Sequence, residues 1–202
     1  MINKFRMGAA GAVIAAAVAM GPAAYAQSAT ATATAEIVKP LVFQKDTDLD
    51  FGKIVVAGAG TVVVNSDGVT ATSCTGGLTC YSTTSPAEFS VTDGSIGKEV
   101  RFDMPAGPIE LIRVGAVDPG TGFVAADKIE LSGLETTATQ NDVLDAFGVP
   151  TGAFYYTVDL VDDGSGNGSA SFGIGATANL DGSEVEGVYE NTTDLFILVE
   201  YS

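Results

Sequence analysis

Histidine and tryptophan are both absent from this 202-residue chain, lysine and arginine together number 9, and cysteine occurs twice. Each shortage excludes chemistry. Without histidine, neither Ser-His-Asp nor Cys-His nucleophile systems can be built, nor can zinc sites that use imidazole. Without tryptophan the commonest platform for stacking a sugar ring is gone, although 6 tyrosines remain. The 25 acidic side chains outweigh the basic ones to give a net charge of −16. Nucleic acid and anionic membrane surfaces would therefore have to be approached through repulsion. Helix-period patterns scarcely occur, and the one long apolar run lies near the start.

That run belongs to a leader. Lys4 and Arg6 precede an Ala- and Gly-rich stretch reaching Gly21, and Pro22-Ala23-Ala24-Tyr25-Ala26 ends in an A-x-A pattern. This is the layout of an export signal over residues 1–26, cleaved after Ala26. At about 15 residues the run falls short of the roughly 20 that span a bilayer, so the mature protein is expected to have no membrane span. The expected location is the periplasm, the cell surface or the extracellular space. The leader carries no acid, so the mature chain is more acidic than the whole.

An oxidising destination bears on Cys74 and Cys80, spaced C-x5-C around Gly76-Gly77. The economical reading is one disulfide closing a small loop. The other is a redox-active pair, which more often has C-x-x-C spacing.

Directly after the leader, Ala29 to Val38 alternates small apolar with polar residues and reads as a β-strand with two different faces. Residues 27–38 are thus a first strand or an N-terminal extension, ahead of a single domain over 39–202. Pro40 interrupts the pattern and Leu41-Val42-Phe43 resumes it, as on an edge strand. Further strands are expected at Leu49 to Val56, Thr61 to Asn65, Val69 to Cys74, Glu88 to Thr92, Glu99 to Met104 and Ile109 to Val114. Asp93-Gly94 is expected to turn a hairpin. Later come Ala153 to Val161, Ser169 to Leu180 and Asp194 to Tyr201, the last with apolar groups on both faces and so expected to be central. Roughly ten short strands joined by Gly, Pro and Asp turns indicate an all-β antiparallel β-sandwich. The segment near 115–152 reads as an insertion with a short strand at Lys128 to Leu131 and one or two helical turns at Asn141 to Phe147.

Two acid-rich stretches invite a calcium reading. Asp46 to Gly52 begins like an EF-hand loop, but its glycine falls seventh instead of sixth and Ala57 stands where the closing Glu is needed. Asp162 to Gly168 contains what a hairpin turn requires anyway. No carboxylate pair is marked out for catalysis. No catalytic residue, metal site or cofactor is assigned, and the protein is expected not to be an enzyme.

Four stretches carry a resemblance: Ala29 to Val38, Asp48-Leu49-Asp50-Phe51-Gly52-Lys53-Ile54, Pro86 to Val91 and Leu195 to Tyr201. Together they resemble a family of secreted Gram-negative proteins catalogued only as a domain of unknown function, with L-D-F-G as the most specific piece. A more distant similarity links both chain ends to subunits of chaperone-usher pili. Those are immunoglobulin-like sandwiches lacking one strand; an alternating N-terminal extension completes the next subunit, and the last strand has a penultimate tyrosine. The similarity implies a donor face of Ala29, Ala31, Ala33, Ala35 and Ile37, and a C-terminal strand presenting Leu195, Ile197, Val199 and Tyr201. It also implies other copies of the chain, a periplasmic chaperone and an outer-membrane usher as partners. Four alanines bury little area, so the groove they fill must be shallow. The alternatives are that this run is an ordinary first strand, and that the protein is a self-contained secreted sandwich binding an envelope component or ligand.

Overall fold

A computed structural model describes Thr32 and residues 34–202. The leader over 1–26 and Ala29, Ala31 and Ala33 lie outside the described residues. Residues up to Glu36 form a unit separate from the compact body of Ile37–Ser202.

The body is built from strands. The first group is β1 (Val42–Thr47), β2 (Lys53–Val56), β3 (Gly60–Val64), β4 (Ser73–Cys74) and β5 (Leu78–Tyr81). Then come β6 (Ala87–Gly94), β7 (Glu99–Phe102), β8 (Ile109–Arg113), β9 (Lys128–Thr136) and β10 (Thr139–Leu144). β11 (Pro150–Asp159), β12 (Val161–Asp162), β13 (Gly168–Leu180), β14 (Tyr189–Glu190) and β15 (Val199–Tyr201) complete them. The large sheet runs β1-β6-β13-β9-β8-β14, with β12 and β3 also on β13 and β4 on β3. A second sheet runs β10-β11-β7-β15, and β2 pairs with β5 in a ribbon. Every strand pairing is antiparallel.

β13 organises the rest. Its 13 residues carry two pairings in succession: Gly168 to Ile174 lie against β6, and Ala176 to Leu180 against β3. Two cores result. Val62, Val64, Ile129, Leu131, Ala176 and Ala178 form one, under the ribbon. Phe89, Val91, Val100, Phe102, Phe172 and Ile174 form the other, between the two larger sheets. Within the second core Phe172 stacks on Phe102 at 4.2 Å between ring centroids and on Phe89 at 5.4 Å, with Phe43 and Tyr156 flanking the stack. At the change of partner the turn after β3 passes so close to β13 that a Cβ on Gly173 would lie 2.0 Å from the Ser66 carbonyl oxygen.

The all-β, sandwich-like class is borne out, and several details change. Asn141 to Phe147 is not helical: β10 runs to Leu144 and a tight turn follows, in which Asp145 Oδ1 accepts the amides of Phe147 (2.8 Å) and Val149 (2.9 Å). Among the described residues the one helical turn is the 3-10 turn Ala125–Asp127, also within the segment near 115–152. That segment is more than decoration, because β9 lies between β13 and β8 with Ile129 and Leu131 buried. Asp93-Gly94 does not turn a hairpin either. β6 pairs with β1 and β13, and the chain crosses to the other sheet to begin β7.

The L-D-F-G stretch acquires physical reasons. Leu49 packs against both cores, Phe51 is buried in the first, and Asp50 Oδ1 accepts the Gly52 amide at 2.8 Å. Gly52 sits at φ 74°, and a Cβ there would approach the Tyr81 carbonyl oxygen to 2.9 Å. Only glycine meets both demands at low cost.

Candidate functional site

Cys74 and Cys80 are joined, tying β4 of the large sheet to β5 of the ribbon. A loop this short is worth about 2 kcal/mol in the chain-entropy model. Reduction is therefore expected to lower stability by about that much, without unfolding the protein. Urea denaturation with and without reductant measures it.

Among the described residues no group of three acids or cysteines is arranged to hold a metal, and no helix is long and apolar enough to cross a membrane. The acid-rich turns use their carboxylates locally. Asp163 Oδ1 accepts both the amide and the hydroxyl of Ser165 at 2.7 Å, and these bonds, the hydroxyl's first, lower its pKa. Asp67 is lowered in the same way, chiefly by the Thr70 hydroxyl. Lys45 pairs with Asp48 in the other acid-rich stretch.

The chain ends are more informative. Ala35 and Ile37, the two described members of the alternating face, form no strand, and Ile37 is 96% exposed. Two residues later the chain is held firmly. The Lys39 amide donates to Ser95 Oγ at 2.9 Å, and its Nζ donates to the Gly166 carbonyl and to Asn167 Oδ1, both at 2.7 Å. Its carbonyl accepts the Tyr201 hydroxyl at 2.7 Å, while Tyr201 Oη accepts the Ser95 amide at 2.9 Å. Sequence reading missed Lys39 and Ser95, since nothing local links positions so far apart.

The C-terminal segment departs from expectation in one respect. Leu195, Ile197, Val199 and Tyr201 all pack against the second core as read. The strand is not central, however: only Val199–Tyr201 pairs, with β7, and β15 is the edge of its sheet. Phe196 and Leu198 are 71% and 69% exposed because no layer covers the outer face. They line a groove with Arg101, Met104, Pro105 and Glu200.

β1 is likewise an edge, of the opposite sheet, paired only with β6 among the described residues. Leu41 just before it and Phe43 on it, with Val199 and Tyr201 on β15, pack half-buried against the same core. Among the described residues no further strand pairs with either of these two edges, which flank one side of that core; a strand edge presents backbone N–H and C=O groups to which another strand can add.

A family model described as a domain of unknown function (DUF4402) matches residues 41–201, the uncharacterised family to which the L-D-F-G stretch pointed. No curated protein and no solved structure matches the chain.

Proposed function

The chain belongs to the DUF4402 family, a domain of unknown function, and from that premise we propose that it is an exported, non-catalytic structural subunit of the cell surface. In this reading it is pilin-like and assembles by β-augmentation. The alternating segment of one copy, with Ala29, Ala31, Ala33, Ala35 and Ile37 on one face, adds a strand between β1 and β15 of the next. Backbone hydrogen bonds supply the affinity, and the alternate side chains set the fit. The single observation that carries the reading is the coincidence, among the described residues, of two strand edges beside one core with Thr32 and residues 34–38, which are exposed and in no strand. A periplasmic chaperone and an outer-membrane usher are the partners such a subunit requires.

Removing residues 28–38 tests the proposal. The described part of this segment forms no strand, so the shortened protein is expected to keep its stability to within about 0.5 kcal/mol by chemical denaturation. Electron microscopy of exported protein is expected to show filaments for the full chain and none for the shortened one. Monomers alone from the full chain would sink the idea, and a large loss of stability would favour an ordinary first strand.

One observation favours a second reading, a self-contained sandwich that binds an envelope component or ligand. The β10–β11 hairpin holds Leu144, Phe147 and Val149 exposed at a turn fixed by Asp145. A filament-free protein that loses envelope binding on Phe147→Ser would support it.

A further inference from the structure

Beyond Asn141 and Tyr155 the β10–β11 hairpin leaves the body. Every residue from 142 to 154 is exposed, and Tyr156, opposite Phe102, is the first residue of β11 to pair with β7. A two-stranded ribbon is marginal in water on its own, yet this one is held in shape at its tip. Asp145 Oδ1 takes the amides of Phe147 and Val149, the Asp145 amide donates to the Val149 carbonyl at 2.9 Å, and the Thr151 hydroxyl donates to the Val143 carbonyl at 2.8 Å. The side chains it presents are apolar: Leu144, Val149 and Phe154 are exposed, and Phe147 is 90% so. A hollow lies at the same end of the small sheet. Phe102 pairs with Tyr156 on one side and with Val199 on the other, and past that level β11 continues towards the tip while β7 and the C-terminal segment lose their pairing. There Met104, Pro105, Phe196 and Leu198 line a groove of about 280 Å³, and none of its lining residues comes from the hairpin. An apolar cavity of about 150 Å³ accepts a benzene ring, so this groove has room for a phenylalanine side chain.

We infer that two copies form a twofold dimer in which the hairpin tip of each, led by Phe147, enters the groove of the other. This goes beyond the β-augmentation reading and does not rest on it, since the contact is made by side chains and needs no strand edge. A convex and a concave apolar patch at one end of the chain are what a twofold requires, because the tip of one copy meets the groove of its partner and the reverse. The area suffices. The exposed surface of Leu144, Phe147, Val149, Phe154, Phe196 and Leu198 comes to roughly 800 Å² per copy, and each partner in a stable interface of standard size contributes roughly 800 Å². Charge bears on the contact as well. The chain carries −16, so copies repel unless they meet through uncharged groups. At the groove Arg101 is paired with Glu200 at 3.2 Å, and at the tip Asp145 Oδ1 is spent on the turn. Asp103 in the groove lining and Asp142 on the hairpin remain, so association is expected to tighten as salt rises.

Sedimentation equilibrium of the full mature chain tests this, with Phe147→Ser in the tip and Phe196→Ser in the groove. Both side chains are largely exposed, so each variant is expected to fold as the parent does. The parent is expected to show a monomer–dimer equilibrium, and each variant to weaken it at least about tenfold. A heterodimer of the two variants keeps one intact contact, Phe147 of one copy in the Phe196 groove of the other. Their mixture is therefore expected to associate more tightly than either variant alone. Loss of association in Phe147→Ser alone, with Phe196→Ser like the parent, would mean that tips pack on tips, and it overturns the exchange. Association that weakens with salt overturns the apolar contact, and a parent that stays monomeric at every concentration overturns the dimer. Removing residues 28–38 keeps the two assemblies apart: it is expected to abolish filaments and leave the dimer, whereas loss of the dimer with that segment overturns the contact proposed.

Discussion

Phe172→Ala is expected to cost about 4 kcal/mol of folding stability, the largest loss from any single truncation in the second core. Phe172 is 3% exposed and lies in the middle of β13, against Phe89 on its own sheet and Phe102 across the core. Its removal forfeits the transfer energy of a whole ring and leaves a cavity. The neighbours cannot collapse into that cavity, because strands on both sides fix their backbones. Each stacked contact adds about 0.5 to 1.5 kcal/mol beyond the area buried, and Phe172 makes more than one. Phe43→Ala is the natural comparison: it truncates the same stack from the edge strand β1, of which Phe43 is the one half-buried residue and where water already reaches the site. About half the loss is expected there. Urea denaturation of both variants checks the ranking, and equal losses would mean that the stack does not centre on β13.

Adding a single methyl group at Gly173 is expected to destabilise the protein by about 3 kcal/mol, the upper range for overpacking. Gly173 does not occupy the left-handed region, so backbone preference is not the reason. The reason is contact. A Cβ would lie 2.0 Å from the Ser66 carbonyl oxygen, and the Ser66 amide donates in turn to Glu135 Oε1 at 2.9 Å. Gly173 is itself fixed, its amide donating to Thr137 Oγ1 at 2.9 Å. Neither backbone can retreat without breaking a hydrogen bond. Gly58→Ala is the control, since the nearest atom to its new Cβ would be the Gly77 Cα at 3.7 Å, an ordinary contact. Thermal or urea unfolding is expected to separate the two substitutions clearly, with Gly58→Ala near the parent.

Strands whose two faces differ are legible from sequence, because alternation records burial directly. Glu88 to Thr92 is of that kind, and it lies in a strand close to the expected bounds; Ser169 to Leu180 is also found close to its expected bounds, although Phe172 to Ala176 are buried on both faces. Misreadings arise where apolar residues are not buried. Val143, Leu144 and Phe147 have helical spacing, yet all three are exposed around a hairpin tip, so the period that implies a buried face has no face to describe. Phe196 and Leu198 mislead in the same way, making an edge look central. β9 is legible only as far as Leu131, since Ser132 and Gly133 break the apolar pattern while the strand runs on to Thr136. Of the candidate site, Tyr201 and the alternating segment can be read locally. The pinning of Lys39 cannot, because it depends on bonds to Ser95, Asn167 and Tyr201 that exist only after folding.

The bond between Lys39 and Tyr201 also has a mechanical side. Tension applied through the N-terminal segment reaches the body at Lys39, whose carbonyl is one hydrogen bond from the last strand of the chain. In a row of copies joined end to end, a pull arriving along one link would leave by the neighbouring edge strand over a path of only a few residues. The aromatic core and the long strand β13 would lie off that path. In the proposed assembly such a subunit would transmit force along its side, and its folded interior would be spared most of the strain.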